Sequence, residues 1–474
     1  MNRHFIPNEG LRDYPRRSFA RIDQVEPIHL ENADEVVIGF DAVDADWIHF
    51  GQGQQLTLSP PELGELRDRM ANYWRSAFEH KPPNWILFGL FDEAPLYHIE
   101  LTLPKGHPWL ADLLDGDAGW FKIDLADQGE REVDVFGGLF QAPVVAQMAH
   151  APERAEPQDA LNAIFDMDTW PDAAEGDVMQ VLSAGGGIEQ LVAFDVGQGS
   201  ANALVDSNGY PQFYFDAGCG VYHNAKTSPA HIGFCTCQQP SVILSHWDSD
   251  HWAGATKARN LLSATWIAPR QSIGPRHAAF AASILAAGTL LILPPHMLPI
   301  GWGTTPACEL RQCRGALSNR NETGVVLIVD DPNTTRSWLL TGDAAYHLIP
   351  GLMPPDFAAV VVPHHGADMG PKSTPPAPST PYSRLIYSFG PGNRHGRTKV
   401  QHPTVAAVTA HVTAGWVHGW LPTSPGTTLA GHPVLATATH ATSHDDGIVA
   451  GWTAPGIFPA HLTACSSAMP VSQH

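Results

Sequence analysis

Ser241-Val242-Ile243-Leu244-Ser245-His246-Trp247-Asp248-Ser249-Asp250-His251-Trp252-Ala253-Gly254 is the stretch whose reading decides the fold. Val242 to Leu244 is a short apolar run of the kind that forms a buried strand. It ends at once in His246, Asp248, Asp250 and His251, four potential metal ligands within six residues. Two imidazoles and two carboxylates crowded at a strand end are hard to satisfy by packing, whereas a divalent cation satisfies them together. A solvated polar loop is the competing reading. Such a loop has no reason to leave a buried strand and lead straight into the close-packing pair Ala253-Gly254.

Working outward, three more strand ends carry ligand-type residues. They are Asp216 in Phe-Asp-Ala-Gly, Asp343 in Leu-Leu-Thr-Gly-Asp, and His364-His365-Gly366 after the β-forming run Ala358 to Val362. Strands are expected over 190–196, 202–206, 212–216, 289–293, 324–330, 336–341, 385–388 and 447–452. Helices are expected over 276–287 and 403–412, and Ser207-Asn208-Gly209 reads as a hairpin turn. Apolar runs bounded by turns and interleaved with helices describe a sheet-rich α/β sandwich.

The order of these motifs resembles the metallo-β-lactamase-fold hydrolases over residues 190–415. Within them it is most similar to the hydrolase domain of the competence protein ComEC and its soluble relatives. Phe194-Asp195-Val196-Gly197-Gln198-Gly199, Ser245 through Gly254, Thr341-Gly342-Asp343, and Ser388-Phe389-Gly390 leading through Asn393 to His402-Pro403 carry the resemblance. It implies an αββα sandwich with a two-metal site at one edge of the paired sheets. By motif position, His246 and Asp248 would hold one ion. Asp250 and His251, with His364 or His365, would hold the other, and Asp343 would bridge the two. Asp216 would orient the ligand loop from behind, and Asn321, in the Asn-rich loop 318–322, would face the site. Gln198-Gly199-Ser200 stands where many relatives have Gln-Gly-Asp. Asp248 stands where the usual motif has its second histidine, as in the ComEC-like branch. A hard carboxylate there favours Mn²⁺ or Mg²⁺ relative to Zn²⁺, with Zn²⁺ still within reach.

The chemistry this implies is hydrolysis by a metal-activated hydroxide, suited to phosphodiesters. Asp250, His402 and Asn393 are the candidate catalytic residues, His402 as the acid for the leaving oxygen. Arg394, Arg397 and Lys399 form the chain's compact basic run and are candidate phosphate contacts. A nuclease or phosphodiesterase acting on nucleic acid or a nucleotide is the first expectation. A hydrolase of a non-phosphate ester, lactone or amide is the alternative, because this fold hosts many chemistries.

The chain of 474 residues has room for two or three domains. The expected division is an acidic α+β domain at 1–149, a linker at 150–180, the hydrolase domain at 181–425 and a C-terminal extension at 426–474. Residues 1–33 read as a poorly ordered lead-in. Strands are expected over 35–40, 85–91, 97–103, 120–125 and 132–136, a capping box opens a helix at Ser59-Pro60-Pro61-Glu62, and a short helix is possible at 159–165. Net charge is −21, and residues 1–180 carry 13 Lys+Arg against 33 Asp+Glu. The acidity therefore sits in the N-terminal part; the total disfavours unaided binding of long nucleic acid, and the split only partly offsets this, because residues 181–474, with 14 Lys+Arg against 15 Asp+Glu, are neutral rather than basic. It also suggests a third reading, a regulated effector subunit whose acidic domain binds a protein partner. Six cysteines fit no standard zinc ribbon or disulfide scaffold, so free thiols are expected, with a structural zinc on Cys235, Cys237 and one further ligand as the alternative. Met1-Asn2-Arg3-His4 leads into polar sequence without a signal-peptide pattern. The uncharged stretch 278–302 is broken by prolines, so a soluble cytoplasmic protein without membrane contact is expected.

Overall fold

The computed structural model describes residues 1–27, 34–48, 56–80, 89–114, 119–316, 319–352, 356–379, 382–398, 400–416, 427–429, 432–434, 437, 447–456 and 459–469. It divides into two compact units. The first comprises 1–171, 272–290 and 394–399; the second comprises 172–271, 291–393 and 400–474.

Among the described residues, the first unit has seven strands: β1 (Arg17–Glu26), β2 (Glu35–Asp44), β3 (Leu96–Pro104), β4 (Trp120–Ala126), β5 (Arg131–Phe136), β6 (Val144–Met148) and the two-residue β7 (Glu153–Arg154). All pairings are antiparallel, and the ladders run β1-β2-β3-β5-β6-β4 and back to β1. Among the described residues, this ring has β7 appended on β4 and pairs each of the other six strands on both sides. Val36, Ile38, Phe40, Ile99, Leu101, Ile123, Val133 and Val135 fill its interior. The helix Pro60–Phe78 starts as expected, with the Glu62 carboxylate accepting from the Ser59 N–H and hydroxyl. Its Trp74 is fully buried against Trp170 and Phe91, at ring-centroid distances of 4.4 and 4.9 Å.

Two expectations are corrected here, and a third falls mostly outside the described residues. The lead-in contains β1, and Asn2, His4 and Phe5 are buried. Polar residues did not mean disorder, because their charges are matched by distant partners. Arg21 pairs with Asp166, and Asp23 with Arg276. Second, the linker expected at 150–180 holds, besides the short helix Gln158–Phe165 close to the one expected at 159–165, a further helix Glu175–Ser183, and Leu161, Phe165, Val178 and Leu182 are buried. Third, the strand expected at 85–91 lies mostly outside the described residues, and Leu90–Glu93 is a helical turn after Gly89. The helix Pro275–Leu285 forms close to where expected but belongs to the first unit. Its fully buried Arg276 bonds Asp41 at 3.0 Å as well as Asp23.

Among the described residues, the second unit contains two larger sheets. One comprises β8 (Gln190–Ala193), β9 (Ala201–Val205), β10 (Pro211–Ala217), β11 (Ser241–Ile243), β12 (Thr265–Pro269) and β13 (Thr289–Leu293). The other comprises β14 (Ile300–Trp302), β15 (Ala307–Gln312), β16 (Val325–Asp331), β17 (Arg336–Leu340), β18 (Asp356–Val361) and β19 (Arg384–Ile386). A hairpin of β20 (Thr427–Leu429) and β21 (His432–Val434) stands apart, and β22 (Ile448–Ala450) adds to β8 at the edge of the first sheet. The sheets share one core: Leu191, Leu204, Phe213, Phe215, Ile243 and Ile267 from one, and Leu310, Val325, Leu327, Val329, Leu340 and Val361 from the other. The intervening residues Val326, Ile328 and Leu339 point the opposite way, into a second cluster with Val408 of the helix Val405–Thr413. Strand alternation thus buries β16 on both faces.

This topology positions the motifs. β10, β11 and β12 run parallel, as do β17, β18 and β19. Asp216 lies at the carboxyl end of β10, and the segments that follow β11, β17 and β18 carry His246 to His251, Asp343, and His364-His365. The carboxyl ends of parallel strands are where open α/β sheets present ligand-binding residues. Among the described residues, no helix is long and apolar enough to cross a membrane.

Candidate metal centre

The loop after β11 folds back through a single 3₁₀ turn, Ser249–His251, which puts His246 and His251 side by side at a ring-centroid distance of 4.0 Å. The turn is locked from below. The Asp250 carbonyl receives the Ser200 N–H at 3.1 Å, and a Cβ on Gly218 would stand 1.6 Å from that same carbonyl oxygen, so only glycine fits there. Asp216 adopts φ 63°, His364 φ 47° and His365 φ 54°. Such left-handed non-glycine residues are strained and cluster where a structure has a reason to hold them.

The hydrogen bonds fix which nitrogen each imidazole presents. Asp216 accepts the Ser245 N–H at 2.7 Å and the Ser245 hydroxyl at 2.9 Å. With its proton so used, Ser245 Oγ accepts from His246 Nδ1 at 2.9 Å. Asp216 also accepts from His251 Nδ1 at 2.8 Å, and the Ser388 carbonyl accepts from His365 Nδ1 at 2.7 Å. Three imidazoles therefore have Nδ1–H tied to protein acceptors and present Nε2 as a lone pair, the arrangement used by metal-ligating histidines.

Those lone pairs converge on carboxylates. His251 Nε2 lies 3.0 Å and His246 Nε2 3.7 Å from Asp343 oxygens, and His365 Nε2 lies 3.1 Å from Asp250 Oδ2. Ligand atoms of His246, His251 and Asp343 fall within 4.8 Å of one another, as do those of Asp250, His251 and His365. Among the described residues, His246 Nε2, His251 Nε2 and Asp343 Oδ1 are buried and, apart from the 3.0 Å approach of the last two to each other, have no hydrogen-bond partner. Unpartnered polar atoms in a protein interior carry a large desolvation cost. A divalent cation removes it for all three, so the residues present fit such an ion.

Electrostatics point the same way. Burial alone would raise the Asp343 carboxyl, but His251, His364, His365 and His246 hold it well below the ordinary carboxylate range. Burial would lower His251, yet Asp343 and Asp216 on either side raise it well above a usual imidazole. Asp250 is held low by His365 and His251 against the opposing effect of burial. The centre is built to hold positive charge, as protons or as a metal ion.

The remaining predicted residues fall in several places. Asp248 sits beside the two ligand groups: Oδ2 is 3.6 Å from His246 Nε2, while Oδ1 accepts from the buried Arg320 at 2.8 Å. The Asp248 charge is thus shared with a guanidinium, which weakens the expectation that this position selects the metal. His364 presents Nδ1 to Asp343 at 3.5 Å and to the Asn321 amide at 3.2 Å. His402 is buried with its ring edge-on to His364 at 5.4 Å. Asn393, expected among the catalytic residues, is buried with its amide bonded to backbone groups. Its amide nitrogen donates to the Gly390 and His402 carbonyls and its oxygen accepts the His402 N–H at 2.9 Å. Gln198 accepts the Gly390 N–H at 3.3 Å, bracing the loop whose Ser388 orients His365. Arg397 bonds Asp134 at 3.0 Å and also Glu132, both carboxylates of the first unit, so its charge is already matched. Arg394 is exposed, and Lys399 lies outside the described residues. Sequence reasoning missed Ser245 and Arg320. Ser245 adjoins the motif and was findable as the residue behind His246; nothing marks Arg320 before the fold places it.

No protein-family model matches the sequence. No curated protein matches it either. Among solved structures, the chain is similar to Zn²⁺-bound PqqB from Methylobacterium extorquens, at 12% identity over 37% of this chain and 72% of that one, with a TM-score of 0.25. It is similar to the short form of human tRNase Z, at 12% identity over 42% and 92% of the two chains, with a TM-score of 0.28. A third is a subclass B3 metallo-β-lactamase from a soil metagenome library, at 13% identity over 36% and 66%, with a TM-score of 0.23.

Proposed function

We propose that this chain is a divalent-metal-dependent hydrolase of the metallo-β-lactamase-fold type, nearest the ComEC-like branch, and that its substrate is a phosphodiester. One observation carries the reading: three buried imidazoles with Nδ1–H anchored to protein acceptors aim Nε2 at Asp343 and Asp250. His246, His251 and Asp343 would hold one ion, and Asp250, His251 and His365 the groups for a second beside it. A divalent ion held there supplies Lewis acidity and brings the pKa of water toward neutrality. Imidazole-rich donors suit Zn²⁺ or Mn²⁺ and count against Mg²⁺.

The chain's own residues do the rest. Asp216 and Ser245 keep His246 and His251 in one tautomer and one orientation. Ser388 does so for His365, with Gln198 and Gly390 behind it. His402, whose backbone Asn393 holds and whose ring lies edge-on to His364, would hand a proton to a leaving oxygen. Arg397, matched by Asp134 and Glu132, supplies no free positive charge, and net charge is −21. Long nucleic acid lacks the positive field its binding requires, which favours a small phosphodiester or nucleotide.

The test is metal analysis combined with cleavage of single- and double-stranded DNA, RNA, cyclic and linear dinucleotides and a generic phosphodiester in Zn²⁺, Mn²⁺ and Mg²⁺. Metal uptake with cleavage of the small substrates, lost in Asp250→Ala/His251→Ala, is expected. A wild type that binds no metal and cleaves nothing overturns the reading. Turnover of lactones or thioesters alone overturns the phosphodiester assignment.

A further inference from the structure

Away from the metal centre, a second set of ligand atoms meets within the second unit. The sequence pair Cys235-Thr236-Cys237 lies between β10 and β11, and the helix Ala460–Ala464 near the C-terminus brings His461 and Cys465 to it. Sγ of Cys235, Sγ of Cys237, Sγ of Cys465 and a ring nitrogen of His461 all lie within 4.8 Å of one another. Cys235 Sγ is 3.3 Å from His461 Nε2, and Cys237 Sγ is 4.0 Å from Cys465 Sγ. Zinc–sulfur bonds of 2.3 Å and zinc–nitrogen bonds near 2.0 Å in a tetrahedron require S···N of about 3.5 Å and S···S of about 3.8 Å. The S···N distance of 3.3 Å and the S···S distance of 4.0 Å lie close to these values. A disulfide would need its sulfurs at about 2.05 Å, and none of the six cysteines is in one.

The ligands are held from outside. The ring of His461 stacks on Tyr210, with centroids 3.7 Å apart and planes 21° from parallel, which sets Nε2 toward Cys235. His461 and Cys465, four residues apart, share one side of their helix, and the Cys465 N–H bonds the His461 carbonyl at 2.8 Å. The Tyr214 hydroxyl donates to the Cys235 carbonyl at 3.0 Å, and the Asn260 amide donates to the Phe234 carbonyl at 2.9 Å.

We propose that Cys235, Cys237, His461 and Cys465 form a structural zinc site. Its closed Cys₃His set leaves no open position for substrate, so its role is a clasp. Cys237 and Cys465 are 228 residues apart in sequence. The ion fastens the C-terminal segment, whose β22 is the edge strand beside β8, across the same sheet to the β10–β11 connection. Binding displaces protons from three thiols and couples zinc to the folding of this edge. The proposal stands independently of the hydrolytic reading, because no cysteine belongs to the converging donors of the first centre.

The test uses the full chain loaded with Co²⁺. Wild type is expected to show a thiolate-to-cobalt charge-transfer band and the strong visible bands of a tetrahedral ion. Cys237→Ser/Cys465→Ser should lose the charge-transfer band and one equivalent of metal while keeping the metal bound at the histidine-rich centre. Alkylation of the exposed Cys237 in wild type needs no variant to fold: Zn²⁺ should protect it and a chelator should expose it. Absence of the thiolate band in wild type, its survival in the double variant, equal alkylation with and without Zn²⁺, or a Cys237–Cys465 linked peptide under non-reducing conditions each overturn the proposal.

Discussion

Two buried clusters in this chain have nearly the same composition and opposite character. In the first unit, Asp23, Asp41 and His277 bring ligand atoms within 4.8 Å of one another, as His246, His251 and Asp343 do in the second. In the first, Arg276 supplies the missing charge: it bonds Asp41 at 3.0 Å and pairs with Asp23, while His277 lies 3.2 Å from Asp41. In the second, Asp216 and Ser245 use up the Nδ1 protons, no guanidinium reaches Asp343 among its described contacts, and Nε2 lone pairs are left facing a carboxylate. Ligand-type residues at ligand spacing are therefore not enough to define a metal site. What matters is whether the protein already supplies the compensating cation.

The largest expected effect comes from Asp343→Ala. It removes the carboxylate on which His246, His251 and His364 converge. Hydrolytic activity should fall well beyond the roughly 10–100-fold that loss of a ligand's supporting partner costs, with metal content falling alongside; steady-state rates and metal analysis check both. Arg276→Ala should act the other way. Leaving Asp23 and Asp41 buried without their guanidinium should cost about 3–5 kcal/mol in denaturant unfolding, with the metal content of the folded fraction unchanged. If Arg276→Ala lowered metal content and spared stability, the contrast between the clusters would be wrong.

Asp216→Asn keeps the shape but weakens the acceptor for His251 and Ser245. Metal affinity should drop by about 10–100-fold, read by competition with a chelating dye, while the thermal midpoint of the metal-free protein moves little. The smallest effect concerns acid. Burial would raise Asp41, but Arg276 and His277 hold it below the ordinary carboxylate value. Its stabilisation is therefore complete above its unfolded pKa and is lost as pH falls through the lower folded value. Unfolding of the first unit should steepen below about pH 4, and Asp41→Asn should flatten that acid limb.

Much of the centre was legible from local pattern. An apolar strand running into His246 to His251, the Thr-Gly-Asp of Asp343 and the His-His-Gly after β18 each announce themselves within a few residues, because strand alternation and turn chemistry are short-range. What escaped the sequence is long-range charge matching. β1 looked like a disordered leader because Arg21 and Asp23 find their partners at Asp166 and Arg276. Arg397 looked like a phosphate contact because Glu132 and Asp134 lie far away in the chain. Asn393 looked catalytic by motif position, whereas both ends of its amide are committed to backbone. The Cys235/Cys237 pair lacked its second half for the same reason: His461 and Cys465 are supplied from the other end of the chain.

Anomalous diffraction at the metal absorption edge, from crystals of the full chain grown with Zn²⁺ or Mn²⁺, tests the central claim most directly. The account predicts a peak bounded by His246 Nε2, His251 Nε2 and Asp343, and none among Asp23, Asp41 and His277. No peak at the first position, or a peak at the second with Arg276 still in place, would contradict it.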